Sequence, residues 1–401
     1  MDLEGSVMKV GGYVARGYEG VREAFASAQS VDEGGGQLCV YRHGQKVVDI
    51  WAGRDKINDR PFGEETLTVI MSCTKGATAA VVHRLAERGL IDFEAPVAEY
   101  WPEFAAGGKG EARIWHLMSH SVGLPGVDPE SGLTAQDLLS LERHLHALEG
   151  MAPVWTPGAS CHYHPITYGS LLDAVVRRVT GMSVSRLLAE EISGPLGLDF
   201  WIGLPLEEDG RVAPHFQPTP GLSADQIAAL LASVGVDLNT RLAKVVLLSL
   251  QHTGELIEDM NNRAVRAAEL PAGNGITNAA SLAKMYAAMI GEVDGVRLMK
   301  PATVEGARTL RTGSMVPPGD LGKLQIGLPV RYGLGYQLAR EATDMLGEGS
   351  FGHDGAGGRI AFAHPESGTA AAYLANTMSS TFGAPDPRWA WIAELRKAIA
   401  A

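Results

Sequence analysis

The chain has 401 residues, 45% hydrophobic and 20% charged, enough to bury a large core in one domain or in two intertwined ones. Its 34 basic and 46 acidic side chains leave a formal charge of -12 without any dense Lys/Arg cluster, which excludes a nucleic-acid surface. Three cysteines (Cys39, Cys73, Cys161) form no disulfide framework and fit a reducing compartment.

The opening Met1-Asp2-Leu3-Glu4-Gly5 has neither the basic nor the apolar part of a signal peptide. No apolar run reaches bilayer length, so the sequence reads as cytoplasmic, with no membrane partner. A helical pattern from Val14 to Ala28 is broken by Gly34-Gly35-Gly36. Gln37–Tyr41 and Lys46–Trp51 then read as a hairpin, and Asp55–Thr66 as a loop. A helix is expected from Ser72 to Arg88; its small residues Gly76, Ala77, Ala79 and Ala80 suit close packing, and Gly89 ends it. Further helices are expected over Thr134–Leu148, Thr167–Val179, Val184–Ile192, Ala224–Val234, Arg241–Gln251 and Ala279–Met289. The stretch 218–270 reads as an insertion that covers or shapes a pocket. Strand patterns return at Tyr332–Leu338, Ser350–His353, Arg359–Ala363 and Thr369–Ala375, before a closing helix over Arg388–Ala400.

Strands at both ends and helices between them imply an α+β fold: one central antiparallel sheet built from both termini, flanked by helices, with a mostly helical domain inserted. The expected division is 1–112 with 285–401 for the α/β domain and 113–284 for the helical domain, which shapes the substrate pocket.

Ser72-Cys73-Thr74-Lys75 places a hydroxyl and an amine on one helical face. A hydroxyl becomes a nucleophile when a nearby base takes its proton, and a partly buried lysine loses its charge readily enough to be that base. The helix start also leaves free N–H groups beside the serine. Cys73, one residue on, points to another face and reads as packing. His116 and His120 have the spacing of two ligands on a helix, but the glutamate of a zinc-protease motif is missing, so they read as structural; no metal or cofactor is expected. There is no Gly-x-Ser-x-Gly elbow, phosphate loop or dinucleotide fingerprint.

Ser72-x-x-Lys75, Tyr163 after the Pro157-Gly158 turn, and His353-Asp354-Gly355 on a β-rich run together resemble the serine β-lactamase and penicillin-binding-protein superfamily. Within it the chain is most similar to the family VIII carboxylesterases, esterase relatives of class C β-lactamases. The resemblance spans about residues 20 to 400 and extends to His116–Pro125, Gly273-Asn-Gly-Ile-Thr277 and Tyr332-Gly-Leu-Gly-Tyr336. It implies an acyl-enzyme mechanism with Ser72 as nucleophile, Lys75 and Tyr163 as proton-transfer groups, and the backbone N–H groups of Ser72 and Ala356 as the oxyanion hole. Tyr163, near ammonium or imidazolium groups, is expected to ionise more easily.

Two departures shape the substrate expectation. The family's Tyr-x-Asn is Tyr163-His164-Pro165 here, which removes the amide that holds a lactam. The family's Lys-Thr-Gly is His353-Asp354-Gly355, which weakens the cation facing a lactam carboxylate; a neutral histidine can still assist by hydrogen bonding. The expected activity is therefore a serine carboxylesterase on short acyl esters, with a small-molecule ester as partner. A β-lactamase or D-amino-acid peptidase, an acyltransferase, and a binding module that kept the fold are the alternatives.

Overall fold

The computed structural model describes residues 8–324, 331–379 and 385–401; the Met1–Gly5 opening lies outside them. Strands β1 (Gly11–Val14), β2 (Gly35–Arg42) and β3 (Gln45–Asp55) come from the first part of the chain. A two-residue strand β4 (Arg60–Pro61) pairs with β3 inside the stretch expected to be loop. Three short strands, β5 (Thr68–Val69), β6 (Phe200–Trp201) and β7 (Ile276–Thr277), make a separate small sheet. Strands β8 (Gln337–Leu338), β9 (Phe351–Gly355), β10 (Arg359–His364) and β11 (Thr369–Ala375) close the list. The main sheet runs β1-β3-β2-β11-β10-β9-β8, and every neighbouring pair is antiparallel. The sheet built from both ends is thus present, joined where β11 pairs with β2 from Thr369 opposite Arg42 to Ala375 opposite Gly36.

Both faces of this sheet are covered, and its strands sort their side chains with period two. In β11, Ala371, Tyr373 and Ala375 join Leu38 and Val40 of β2 on one face. That face packs against Val21 and Phe25 of the Glu19–Ser30 helix and Trp391 and Leu395 of the Trp391–Ala400 helix. Ala370, Ala372 and Leu374 point the other way, with Cys39 and Tyr41, toward the Ala279–Ile290 and Thr74–Glu87 helices. Small alanines on that face let the Ala279–Ile290 helix lie close over β2, β10 and β11.

Several expected elements change. The run Thr134–Leu148 is interrupted: a 3-10 turn over Gln136–Leu139 and a helix over Leu141–Gly150 are separated by Ser140, whose ψ of 106° is extended. Val184–Leu188 is followed by one wide π turn, Ala189–Ser193. The Arg241 helix runs on to Glu258. With Ala224–Ser233 and Leu321 it encloses a small apolar cluster of its own. Of Tyr332–Leu338 only the last two residues extend as strand, because Leu334 and Gly335 instead donate N–H bonds to Ala307 and Met118. Among the described residues no helix is long and apolar enough to cross a membrane.

Candidate active site

The nucleophile candidate stands on a strained corner. β5 leads to Ile70, whose N–H is held by the Gly275 carbonyl at 2.8 Å. Met71 then turns into the left-handed region at φ 50°, a conformation a non-glycine residue adopts only where its surroundings enforce it. A 3-10 turn, Met71–Cys73, carries Ser72 and passes into the Thr74–Glu87 helix. The corner is held by Thr74, whose hydroxyl donates to the Met71 carbonyl at 2.6 Å and accepts from the Gly275 N–H at 2.9 Å.

Lys75 is fully buried one turn beyond Ser72. Its Nζ lies 3.2 Å from Ser72 Oγ, 2.8 Å from the Pro165 carbonyl oxygen and 2.7 Å from that of Ala272. Burial holds its pKa well below the usual lysine value, and Asp354 opposes that shift only in part. A neutral amine has two N–H donors and one lone pair. In that form the two carbonyls take the donors and the lone pair is left for Ser72; in the charged form all three N–H groups donate, one of them to Ser72 Oγ. Tyr163 Oη donates to the same Ser72 oxygen at 2.6 Å, and the Lys75 nitrogen lies 4.8 Å from the centre of its ring. The expectation that Tyr163 ionises easily is reversed: burial pushes the phenol well above its ordinary pKa, with Tyr332 adding to the shift and the hydrogen bond to Ser72 opposing it.

The histidines read as structural are what set Tyr163 in place. His120, itself left-handed at φ 60°, uses its carbonyl to hold the His162 N–H and its Nδ1 to accept the His164 N–H. Its ring stands 4.9 Å from that of Tyr163 and 4.5 Å from that of Tyr332. His116 Nδ1 accepts the Arg113 N–H, and its Nε2 fills the space where a Cβ on Gly158 would lie. Each Nδ1 is thus committed to backbone. Cys73 is likewise packing: buried, with its thiol on the His353 carbonyl at 3.2 Å.

His353, Asp354 and Gly355 end β9 beside this corner. His353 is buried, its Nδ1 donating to the Asp354 carbonyl at 2.5 Å, while Nε2 meets no polar partner among the described residues. Burial and Lys75 lower its pKa to about 4, so the ring is neutral. Its centroid lies 6.0 Å from that of Tyr163. Asp354 is partly exposed, 3.8 Å from Arg340, and its N–H is taken by Gln337. At Gly355 a Cβ would stand 2.5 Å from the Ile70 carbonyl oxygen, so only glycine lets β9 come this close to the Ser72 corner. Ala356, the next residue, begins the exposed turn to β10.

The β-lactamase family model matches residues 23–395. The chain belongs to the β-lactamase family. It is 36% identical over 360 residues to the esterase/β-lactamase LipL of Mycobacterium tuberculosis, covering 86% of this chain and 78% of that protein. Among solved structures it is similar to EstA from Arthrobacter nitroguajacolicus (TM-score 0.82, 26% identity, 97% and 98% of the two chains). It is similar too to a family VIII carboxylesterase (TM-score 0.81, 30% identity, 98% and 99%). This β-lactamase-family chain is accordingly a serine hydrolase with the fold of the esterase and penicillin-binding-protein branch.

Reading the sequence alone missed three parts of the site. The carbonyls of Pro165 and Ala272 that cradle Lys75 carry no side-chain signal. The loop that carries the second is folded by the buried Asn274 side chain, which bonds Leu270, Val265 and Ala268. The left-handed Met71 had no signal. Neither did the polar groups beneath the Ala356 turn.

Proposed function

We propose that the protein is a serine carboxylesterase acting on short-chain acyl esters. The observation that carries this reading is the set of groups at Lys75: its buried Nζ lies 3.2 Å from Ser72 Oγ and is cradled by the Pro165 and Ala272 carbonyls at 2.8 and 2.7 Å. In the proposed reaction Lys75 takes the Ser72 proton as Oγ attacks the ester carbonyl. The backbone N–H groups of Ser72 and Ala356 receive the oxyanion; each such donor contributes roughly 3 kcal/mol. The carbon–alkoxide bond breaks as the protonated Tyr163 gives its proton to the leaving alcohol, and Lys75 returns one to Tyr163. Water then hydrolyses the acyl-enzyme by the same groups.

Esters are favoured over lactams because the position of the family's Lys-Thr-Gly lysine is taken by a buried, neutral His353, and Pro165 offers no side-chain amide. The orphaned His353 Nε2 is free to act as an acceptor in the site. We keep the division into 1–112 with 285–401 for the α/β domain and 113–284 for the helical domain; the second boundary falls inside the Ala279–Ile290 helix, which packs on β2 and β11. A second reading, β-lactam hydrolysis, is kept because the 36% identical relative carries both activities in its name. Hydrolysis of p-nitrophenyl butyrate by the parent and its loss in a folded Ser72→Ala variant test the main reading; retained turnover would sink it. A nitrocefin rate above the ester rate would favour the second.

A further inference from the structure

The turn that joins β9 to β10 is held from beneath by three successive hydrogen bonds. The Ala356 carbonyl accepts from Arg359 Nη1 at 2.8 Å, the Gly357 carbonyl from Arg388 Nη2, and the Gly358 carbonyl from Trp389 Nε1 at 2.8 Å. Both glycines have φ of 83°. A Cβ on Gly357 would come 2.4 Å from Arg359 Nη1, and one on Gly358 2.0 Å from Arg388 Nη2. The Gly-Gly pair is therefore what allows two guanidinium groups to lie under the turn.

The two arginines are not equivalent. Arg388 is tied to Asp386 and Asp32 at 2.8 and 3.0 Å. Arg359 is completely buried and forms no ion pair among the described residues. Burying a cation without a carboxylate is costly, and it persists where its donors are used. Its Nε donates to the Val69 carbonyl at 2.9 Å, three residues before Ser72, while its Nη1 donates to Ala356 itself. A single rigid, planar group thus touches both backbone segments that supply the N–H pair of the proposed oxyanion hole.

We propose that Arg359 is a positioning residue that sets the spacing of the Ser72 and Ala356 N–H groups, with Arg388 and Trp389 fixing the rest of the turn. This rests on the esterase reading above. Lysine in its place keeps the charge but cannot bridge two carbonyls with a fixed fork.

The test uses the full-length Arg359→Lys variant, with rates normalised to active-site concentration. Three quantities are compared with the parent: kcat/KM for p-nitrophenyl butyrate, Ki for 1-butaneboronic acid, whose tetrahedral adduct puts a charged oxygen in the hole, and Ki for butanamide, which puts none there. The expected result is a roughly 10- to 100-fold fall in kcat/KM, matched by an equal rise in the boronate Ki, with butanamide binding unchanged. A kcat/KM within threefold of the parent, or a loss shared equally by butanamide, overturns the proposal. Should Arg359→Lys not fold, Trp389→Phe decides by the same measurements: a matched loss of threefold or more supports the assignment, and unchanged values overturn it. Turnover retained by Ser72→Ala removes the esterase reading and this assignment together. An inactive Ser72→Ala beside an unimpaired Arg359→Lys removes this assignment alone.

Discussion

Gly355 and Ile70 approach so closely that a single methyl group at 355 would lie 2.5 Å from the Ile70 carbonyl oxygen and 3.2 Å from Cys73 Sγ. Neither neighbour can yield cheaply, since one is backbone held by Gly275 and the other is fully buried. Gly355→Ala should therefore push β9 away from the Ser72 corner. We expect a loss of roughly 1–3 kcal/mol in stability from overpacking and a tenfold or larger fall in kcat/KM, measured by urea unfolding and by ester hydrolysis. Parent-like values for both would contradict the close approach.

Tyr163 should act as a protonated phenol. Removing its hydroxyl in Tyr163→Phe takes away the 2.6 Å donor to Ser72 Oγ while leaving the ring against His120. The expected fall in kcat is roughly 100-fold or more, as for loss of a general acid–base group. Lys75→Arg, which can never be neutral, should lose at least as much. An active arginine variant would exclude Lys75 as the base.

The pH profile should follow Lys75. Its folded-state pKa is depressed by burial, so the neutral, competent form is present above that lowered value and lost as pH falls through it. Activity should decline on the acid side and show no alkaline dependence on phenol ionisation near neutrality, since Tyr163 is shifted upward. A rate of p-nitrophenyl butyrate hydrolysis that rises only as the pH approaches that of an ordinary phenol, near 10, would instead identify a phenolate base.

Stability should fall steeply in mild acid. His83 and His144 are buried and held to about 4, and His164 to about 3, in each case mainly by burial. Unfolded histidines take up protons near 6.5, so each ring's contribution is fully present above that pH and is lost as the pH drops toward its folded-state pKa. The slope is roughly 1.4 kcal/mol per pH unit for each ring inside that window. Urea midpoints measured from pH 7 to 4.5 check it. His83→Phe, set between the rings of Phe93 and Tyr336, should make the dependence shallower.

Lys109 is a second buried amine with no catalytic partner. Its Nζ donates to the carbonyls of Ala106 and Glu149 at 2.7 and 2.9 Å and to that of Met151 at 2.5 Å, which ties the start of the helical layer to the end of the Leu141–Gly150 helix. Lys109→Met should cost roughly 2–4 kcal/mol of stability by leaving three carbonyls without a donor. The urea m-value should be preserved, and kcat/KM per folded molecule should stay within a few-fold of the parent.

Much of the architecture was legible because its strands are short, strongly apolar and punctuated by Gly and Pro. The runs Arg359–Ala363 and Thr369–Ala375, for instance, marked β10 and β11 where they are found. Ser72, Lys75 and His353-Asp354-Gly355 were legible as motifs, and they come together in the fold. What escaped was backbone: carbonyls facing Lys75, a left-handed Met71, and a turn gripped from below. The direction of the Tyr163 shift escaped too, because its main cause, burial of the phenol itself, is set by tertiary packing and not by the neighbouring residue types. Tyr332–Leu338 misled for a related reason: the whole run reads as a strand, but its first residues form a loop tucked against the Thr74–Glu87 helix, where a Cβ on Gly335 would meet Ala79 at 2.5 Å.

The pairing of β11 with β2 has a consequence for biosynthesis. During synthesis the Ser72 corner emerges early, but β9 and the residues beneath its turn, up to Trp389, come from the last fifty or so positions. The proposed pairing of the Ser72 and Ala356 N–H groups therefore cannot form until β9 and its turn have been made. Premature termination before Arg388 should then yield a chain that lacks the hydrogen bonds from Arg388 and Trp389 to the turn, and with them activity.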